Sequence, residues 1–177
     1  MEKLYINVWI GNLGKYNEGH LVGEWFTLPC DFDEVARVIG LNEEYEEYQI
    51  NDYETNIPGL EIHHYDNINT LNNFSEWLED LNKDEQLIVK AFIDQYGTSE
   101  LLSTYEDIDF DNFYIHYDVK DMSDVAYNSM EESGQLKEIE KIMGNTYYID
   151  FEAMGRDMNI NGTFVFLDGN ICVEFFN

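Results

Sequence analysis

Three aspartates at alternate positions, Asp107, Asp109 and Asp111, form the arrangement in this chain that comes nearest to a metal-binding loop. A calcium loop of the EF-hand type draws ligands from its first, third and fifth positions, turns sharply on a glycine at the sixth and closes with a bidentate glutamate at the twelfth. Here Asn112 stands where the glycine belongs and Asp118 where the glutamate belongs. The turn and the clamp are both missing, and Phe110, Phe113 and Ile115 suit a strand with a solvated acidic edge better than a coordinating loop. Gly14-Lys15 has the ending of a phosphate loop, but Trp9 and Tyr16 occupy the positions that need glycine and Ser or Thr. His20, His63, His64 and His116 lack the HExxH-type neighbours of a metal site and read as surface or core histidines. No Ser or Cys sits in a nucleophile motif. Carboxylate pairs are too common in this chain to signal acid–base catalysis. The expectation is a protein that is not an enzyme, with no catalytic residue, no metal and no cofactor.

What the residues do offer is charge. The 177-residue chain has 37 acidic and 9 basic residues, a net charge of -28. The excess is spread: residues 1–60 have 12 acidic against 3 basic (net -9), residues 61–105 have 9 against 2 (net -7) and residues 106–177 have 16 against 4 (net -12). A disordered acidic tail would gather its charge in one block. This chain is 44% hydrophobic and 15% aromatic, enough to build cores. Aromatic residues interleaved with acid, as in Glu44-Tyr45-Glu46-Glu47-Tyr48, have the wrong sign for a nucleic-acid platform, which pairs stacking with Lys and Arg. Binding to nucleic acid or to an anionic membrane is excluded on the same ground. Cys30 and Cys172 show no disulfide or metal spacing, no apolar run spans a membrane and the N-terminus lacks signal-peptide features. A soluble cytoplasmic protein is expected.

The charge must be held by elements, and periodicity places them. Leu4, Ile6, Val8 and Ile10 alternate as a strand, broken by turn chemistry at Gly11-Asn12-Leu13-Gly14. A second strand runs from about Leu21 to Leu28. Asp31 with Glu34 reads as a capping box opening a helix through Phe32, Val35, Ala36 and Ile39, ended by Gly40. A strand follows around Tyr48 to Tyr53. Past Ile57-Pro58-Gly59 the period lengthens: Leu71, Phe74, Leu78 and Leu81 mark one helix. Asn82 and Glu85 cap a second, through Leu87, Ile88, Ala91 and Phe92, and Thr98 caps a third. Beyond it, Phe113, Ile115 and Tyr117 alternate as a half-buried strand, and Met122, Val125, Ala126, Ser129 and Met130 form a helical stripe. Leu136, Ile139 and Met143 suggest another helix and Tyr148, Phe151 and Glu152 one more. A hairpin turns at Asp168-Gly169 between strands at 164–166 and 171–176. The fold class is α+β, an elongated chain of three small modules: 1–60 with sheet and helix, 61–105 helical, 106–177 mixed.

Composition leaves two explanations for the acid, adaptation to high salt or imitation of a polyanion. Duplex DNA carries a charge per ~1.7 Å of axis, so this excess matches about 14 base pairs, or roughly 48 Å. Residues three or four apart on a helix rise ~5 Å, a spacing suited to imitating successive phosphates.

The run Tyr5-Ile6 with Asn12-Leu13-Gly14-Lys15-Tyr16-Asn17-Glu18-Gly19-His20-Leu21-Val22-Gly23-Glu24-Trp25-Phe26 resembles the opening signature of the ArdA antirestriction family. Tyr148 to Asp157, with Gly162-Thr163-Phe164, resembles its C-terminal signature, and Asp121 to Gly134 its acidic antirestriction helix. The resemblance implies an elongated homodimer, joined through the C-terminal module, that mimics bent DNA. It implies binding to type I restriction-modification enzymes, at their DNA-binding and methyltransferase subunits, in protection of a bacterial mobile element. Such a dimer would match about 28 base pairs in charge. The carboxylates expected to meet the partner are Asp31, Asp33, Glu34, Glu43, Glu44, Glu46, Glu47, Asp52 and Glu54 in the first module and Glu76, Glu79, Asp80, Asp84 and Glu85 in the second. In the third they are Asp107, Asp109, Asp111, Asp118, Asp121, Asp124, Glu131 and Glu132, with Met122, Val125, Ala126 and Met130 turned to a core or dimer contact. The signatures, poor in acid, read as mainly structural. Rival readings are an acidic scaffold or chaperone for a basic protein and a domain of a salt-adapted organism, with or without calcium.

Overall fold

The computed structural model describes residues 3–176. It divides into two compact units: one runs to Gln86 and resumes over Phe92–Ile108, the other takes Leu87–Ala91 and everything from Asp109. Each holds a three-stranded antiparallel sheet and helices, an α+β arrangement.

The first unit is built on strand β1 (Ile6–Asn12), flanked by β2 (Gly23–Leu28) and β3 (Tyr48–Thr55). Ile6, Val8 and Ile10 are fully buried, as their alternation predicts. Helix α2 (Phe32–Ile39) packs against β1 and β2, and α3 (Ile68–Asp80) packs against β2. Both helices present a buried apolar stripe, Val35 and Ile39 on one and Ile68, Leu71, Phe74 and Leu78 on the other. Phe74, Trp77 and Tyr105 join in a three-ring cluster with centroids 5.2–5.8 Å apart. Helix α4 (Lys83–Tyr96) opens on the expected capping box, with Asn82 and Glu85 each satisfying the other's backbone N–H, and Gly97 closes it.

Three local expectations fail here, in whole or in part. Gly11-Asn12-Leu13-Gly14 does end β1, but not with a turn: the strand runs on to Asn12, which caps a short helix α1 (Leu13–Asn17) by accepting from Lys15 N. Asn12 is fully buried because its amide also donates to the carbonyls of Ile39 and Gly40. Asp31 does cap α2, accepting from Asp33 N, but Glu34 turns away to Arg37 at 3.5 Å, so no capping box forms. Thr98 begins α5 (Thr98–Thr104) without capping it. Its hydroxyl instead accepts from Glu61 N and donates to the Gly59 carbonyl.

In the second unit β6 (Ile171–Phe175) lies between β4 (Phe113–Tyr117) and β5 (Thr163–Leu167). Helices α6 (Met122–Glu132) and α8 (Phe151–Asn161) pack closely, and α7 (Gln135–Met143) touches α6. A Cβ built on Gly155 would lie 2.3 Å from the Met122 carbonyl oxygen, so α8 approaches α6 at a point only glycine allows. Val119, Val125 and Cys172 form the core there, with Met122, Met158 and Phe164 around them. The β5–β6 hairpin forms as expected, but Leu167 pairs with Ile171, which makes the loop three residues, with Gly169 and Asn170 at positive φ. The alternation read in β4 holds only in part: Phe113 and Ile115 are half-buried as expected. His116 is its buried residue and Tyr117 is exposed, because β6 hydrogen-bonds along β4 and Glu174 pairs with His116 at 2.9 Å. In α7 only Leu136 is buried; Met143 is exposed and Ile139 half-buried.

Candidate functional site

The chemistry of this surface is carboxylate, and the backbone decides where each one points. Strand β3 is the clearest case. Its residues face β1 in register until Trp9, which pairs with Asp52, while the next residue, Ile10, pairs with Ile50. Asn51 is therefore an extra residue, a β-bulge. A bulge shifts the two-residue alternation by one step. Ile50 goes to the core beside Ile10, and Asp52 and Glu54 go to the opposite face, beside Trp9 and Asn7. In an unbroken strand Ile50, Asp52 and Glu54 would share one side. The bulge lets a single strand serve a core and a charged surface, with the two acids about 7 Å apart along it.

The remaining acids are displayed on helix ends and loops. Glu43, Glu44, Glu46 and Glu47 crowd the loop before β3; Glu76, Glu79 and Asp80 line the outer side of α3. Asp107, Asp109, Asp111 and Asp118 lie around two short 3₁₀ turns and the end of β4, all exposed. Of the carboxylates expected at the partner surface, all are exposed except Glu85 and Asp124, which are half-buried. Those two are engaged locally: Glu85 accepts from Asn82 N at 2.7 Å and Asp124 from Lys120 N at 2.9 Å. Other acids also hold the backbone. Asp31 and Asp121 are N-caps, Asp109 accepts from Asp111 N, and Asp52 accepts from Tyr53 N through one oxygen. Glu79 pairs with Lys3 at 3.0 Å and Glu132 accepts from the Tyr114 hydroxyl at 2.6 Å. Asp33, Glu43, Glu44, Glu46, Glu47, Glu54, Asp80 and Glu131 have no such task among the described residues.

The electrostatics register this crowding. Cys30, Tyr45, Tyr105, Tyr114 and Cys172 all hold their protons more tightly than usual. For Tyr45 and Tyr114 the main cause is the hydrogen bond to Glu18 or Glu132. For Tyr105 and the two thiols it is burial, and for Cys172 burial pushes the value up to about 12. Each of the five also has a neighbouring carboxylate pushing the same way. At these five groups a new negative charge is disfavoured.

A family model described as antirestriction protein (ArdA) matches residues 8–173. The chain belongs to the ArdA antirestriction family. No curated protein matches it individually. ArdA membership accounts for both signatures at once, and the structure shows what they build. In this ArdA chain Asn12, Gly14 and Lys15 form the strand-to-helix joint of the first unit, and Asp150 to Asp157 cap and seat α8 on α6. No helix among the described residues is long and apolar enough to cross a membrane.

Of the residues read as a core or dimer contact, Val125 and Ala126 are fully buried, Met130 nearly so and Met122 half-buried, covered by the chain's own residues. Sequence reading missed Trp25. It lies in a signature taken as structural, yet it is 40% exposed on the same sheet face as Asp52 and Glu54. The available signal was its parity with Trp9 across a hairpin, legible only once the strand pairing is known. Tyr114 was missed too, because a strand position gives no hint that its hydroxyl will reach a helix.

Proposed function

We propose that this ArdA-family protein is a non-catalytic inhibitor that binds a type I restriction-modification enzyme in the place of DNA. Its carboxylates occupy the Lys and Arg side chains that would otherwise hold phosphates. The observation that carries this reading is the display of acid over both units, with most carboxylates exposed and only a few paired to the scarce cations. Many weak contacts then share the work, and association is fast, steered and weakened by salt. The protein acts as a homodimer through its C-terminal region. The exposed apolar residues there, Ile142, Tyr147, Tyr148 and Ile160, supply surface that such a pairing would cover.

The test is ATP-dependent DNA cleavage by a type I enzyme, titrated with the purified protein. Inhibition at about one inhibitor dimer per enzyme, relieved by rising salt, is the expected outcome. Unchanged cleavage at stoichiometric protein sinks the reading. Sedimentation over a range of concentrations checks the dimer.

A further inference from the structure

The open face of the first unit's sheet carries more than charge. Ile6, Val8 and Ile10 point to the core, so Asn7 and Trp9 point away from it. Across the register, Trp25 and Thr27 of β2 and Asp52 and Glu54 of β3 stand on that same outward side. Trp9 is kept low: Cβ atoms built on Gly11 and Gly23 would strike its ring at 2.7 and 2.2 Å, so the indole lies across two positions without side chains. Trp25, opposite it, is 40% exposed. Neighbouring strands sit ~4.8 Å apart, which puts the Asp52 and Trp25 backbones roughly 10 Å from each other with Trp9 between. Asp52 uses one oxygen locally, Glu54 uses neither among the described residues, and no Lys or Arg lies on these register positions.

A flat indole surface beside carboxylates has a natural complement. A guanidinium stacks on the ring face and donates in its own plane to a carboxylate, whereas an ammonium is a compact, strongly hydrated charge that does the first poorly. We propose that this face, Trp25 and Trp9 bordered by Asp52 and Glu54, seats arginine side chains of a basic protein partner. The inference rests on the inhibitor reading for the identity of that partner, but not for the chemistry of the seat. It gives this part of the surface a selectivity beyond charge: here arginine is told from lysine by an indole face.

The experiment uses the full chain in two arms. In the first, nona-arginine and nona-lysine peptides are titrated calorimetrically at one ionic strength into the protein and its variants. Trp25→Ala should weaken nona-arginine about tenfold and nona-lysine hardly at all, with Trp25→Phe recovering most of the loss. Asp52→Asn with Glu54→Gln leaves the packing untouched and should weaken nona-arginine more than Glu46→Gln with Glu47→Gln, which removes equal charge from the loop. In the second arm the same variants are assayed against type I cleavage, where Trp25→Ala should raise the inhibitory concentration about tenfold. Wild-type affinity of Trp25→Ala for nona-arginine, equal losses from the two charge pairs, or a Trp25→Ala change confined to self-association overturns the seat. If the peptides are discriminated but cleavage is never inhibited, the seat stands and the inhibitor reading falls.

Discussion

The two sheets share a plan and use it differently. Each has three antiparallel strands around a central one, β1 in the first unit and β6 in the second. Along β1, Ile6, Val8 and Ile10 are fully buried while Asn7 and Trp9 stay partly open, so one face is core and the other is display. Along β6, Cys172, Val173 and Phe175 are buried although Cys172 and Val173 point to opposite sides. A sheet whose central strand is buried on both sides leaves only its edge strands, with Tyr114, Tyr117 and Phe166 exposed, for display. The second unit accordingly moves its acid to helix caps, turns and helix flanks, where Asp121, Asp124 and Glu132 also hold structure. In the first unit Asp52 and Glu54 can be exchanged without touching a core; in the second, charge and stability are entangled.

The contrast can be broken by mutation. Gly155→Ala forces a methyl group against the Met122 backbone, which has nowhere to yield, and should cost about 3 kcal/mol or more, read as a drop of roughly 10 °C in Tm. Val173→Ala, at a fully buried position on the closed sheet, should cost about 2 kcal/mol by chemical denaturation. Asp121→Ala removes two backbone hydrogen bonds at the start of α6 and should cost about 1 kcal/mol, beyond any effect on inhibition. Asp52→Asn on the open sheet should leave Tm within about 1 °C while still weakening partner binding. A large loss of stability from Asp52→Asn would show that the open face is not free of structural duty.

The thiol of Cys172 gives a pH test of the closed sheet. Its native value is about 12, against 9.0 when unperturbed. The folded state therefore keeps a proton that the unfolded state gives up. The stabilisation is complete below pH 9 and is lost as pH rises from there toward 12. Alkylation at pH 8 should leave Cys172 unmodified in the native protein and label it after unfolding. Rapid native labelling would mean that the sheet opens.

How much of this was legible from sequence depended on whether the signal was local. The α3 stripe, the Asn82–Glu85 capping box and the Asp168-Gly169 hairpin each depend on residues a few places apart, and each formed. Alternation in β4 marked Phe113 and Ile115 but not the burial of His116, whose hydrogen-bond partner Glu174 lies 58 residues away. Asp31 and Glu34 had the spacing of a capping box, but Arg37 one turn on competed for the glutamate. Leu136, Ile139 and Met143 marked α7 as a helix, but their spacing does not say that only Leu136 is buried and Met143 exposed. For the acidic surface, the sequence supplied the inventory of carboxylates, while their facing rests on strand pairing and on one inserted residue that composition cannot reveal.

That inserted residue, Asn51, also decides how substitutions along β3 act. It divides β3 into two segments whose side-chain parities are set independently. Upstream of it, substitutions are filtered by the packing around Ile50. Downstream, acidic positions can drift, swap or multiply at every second residue without the core noticing. Losing the residue would couple the segments again, forcing Ile50 outward or the acids inward. The exposed half of the strand can therefore vary while the folding half stands still.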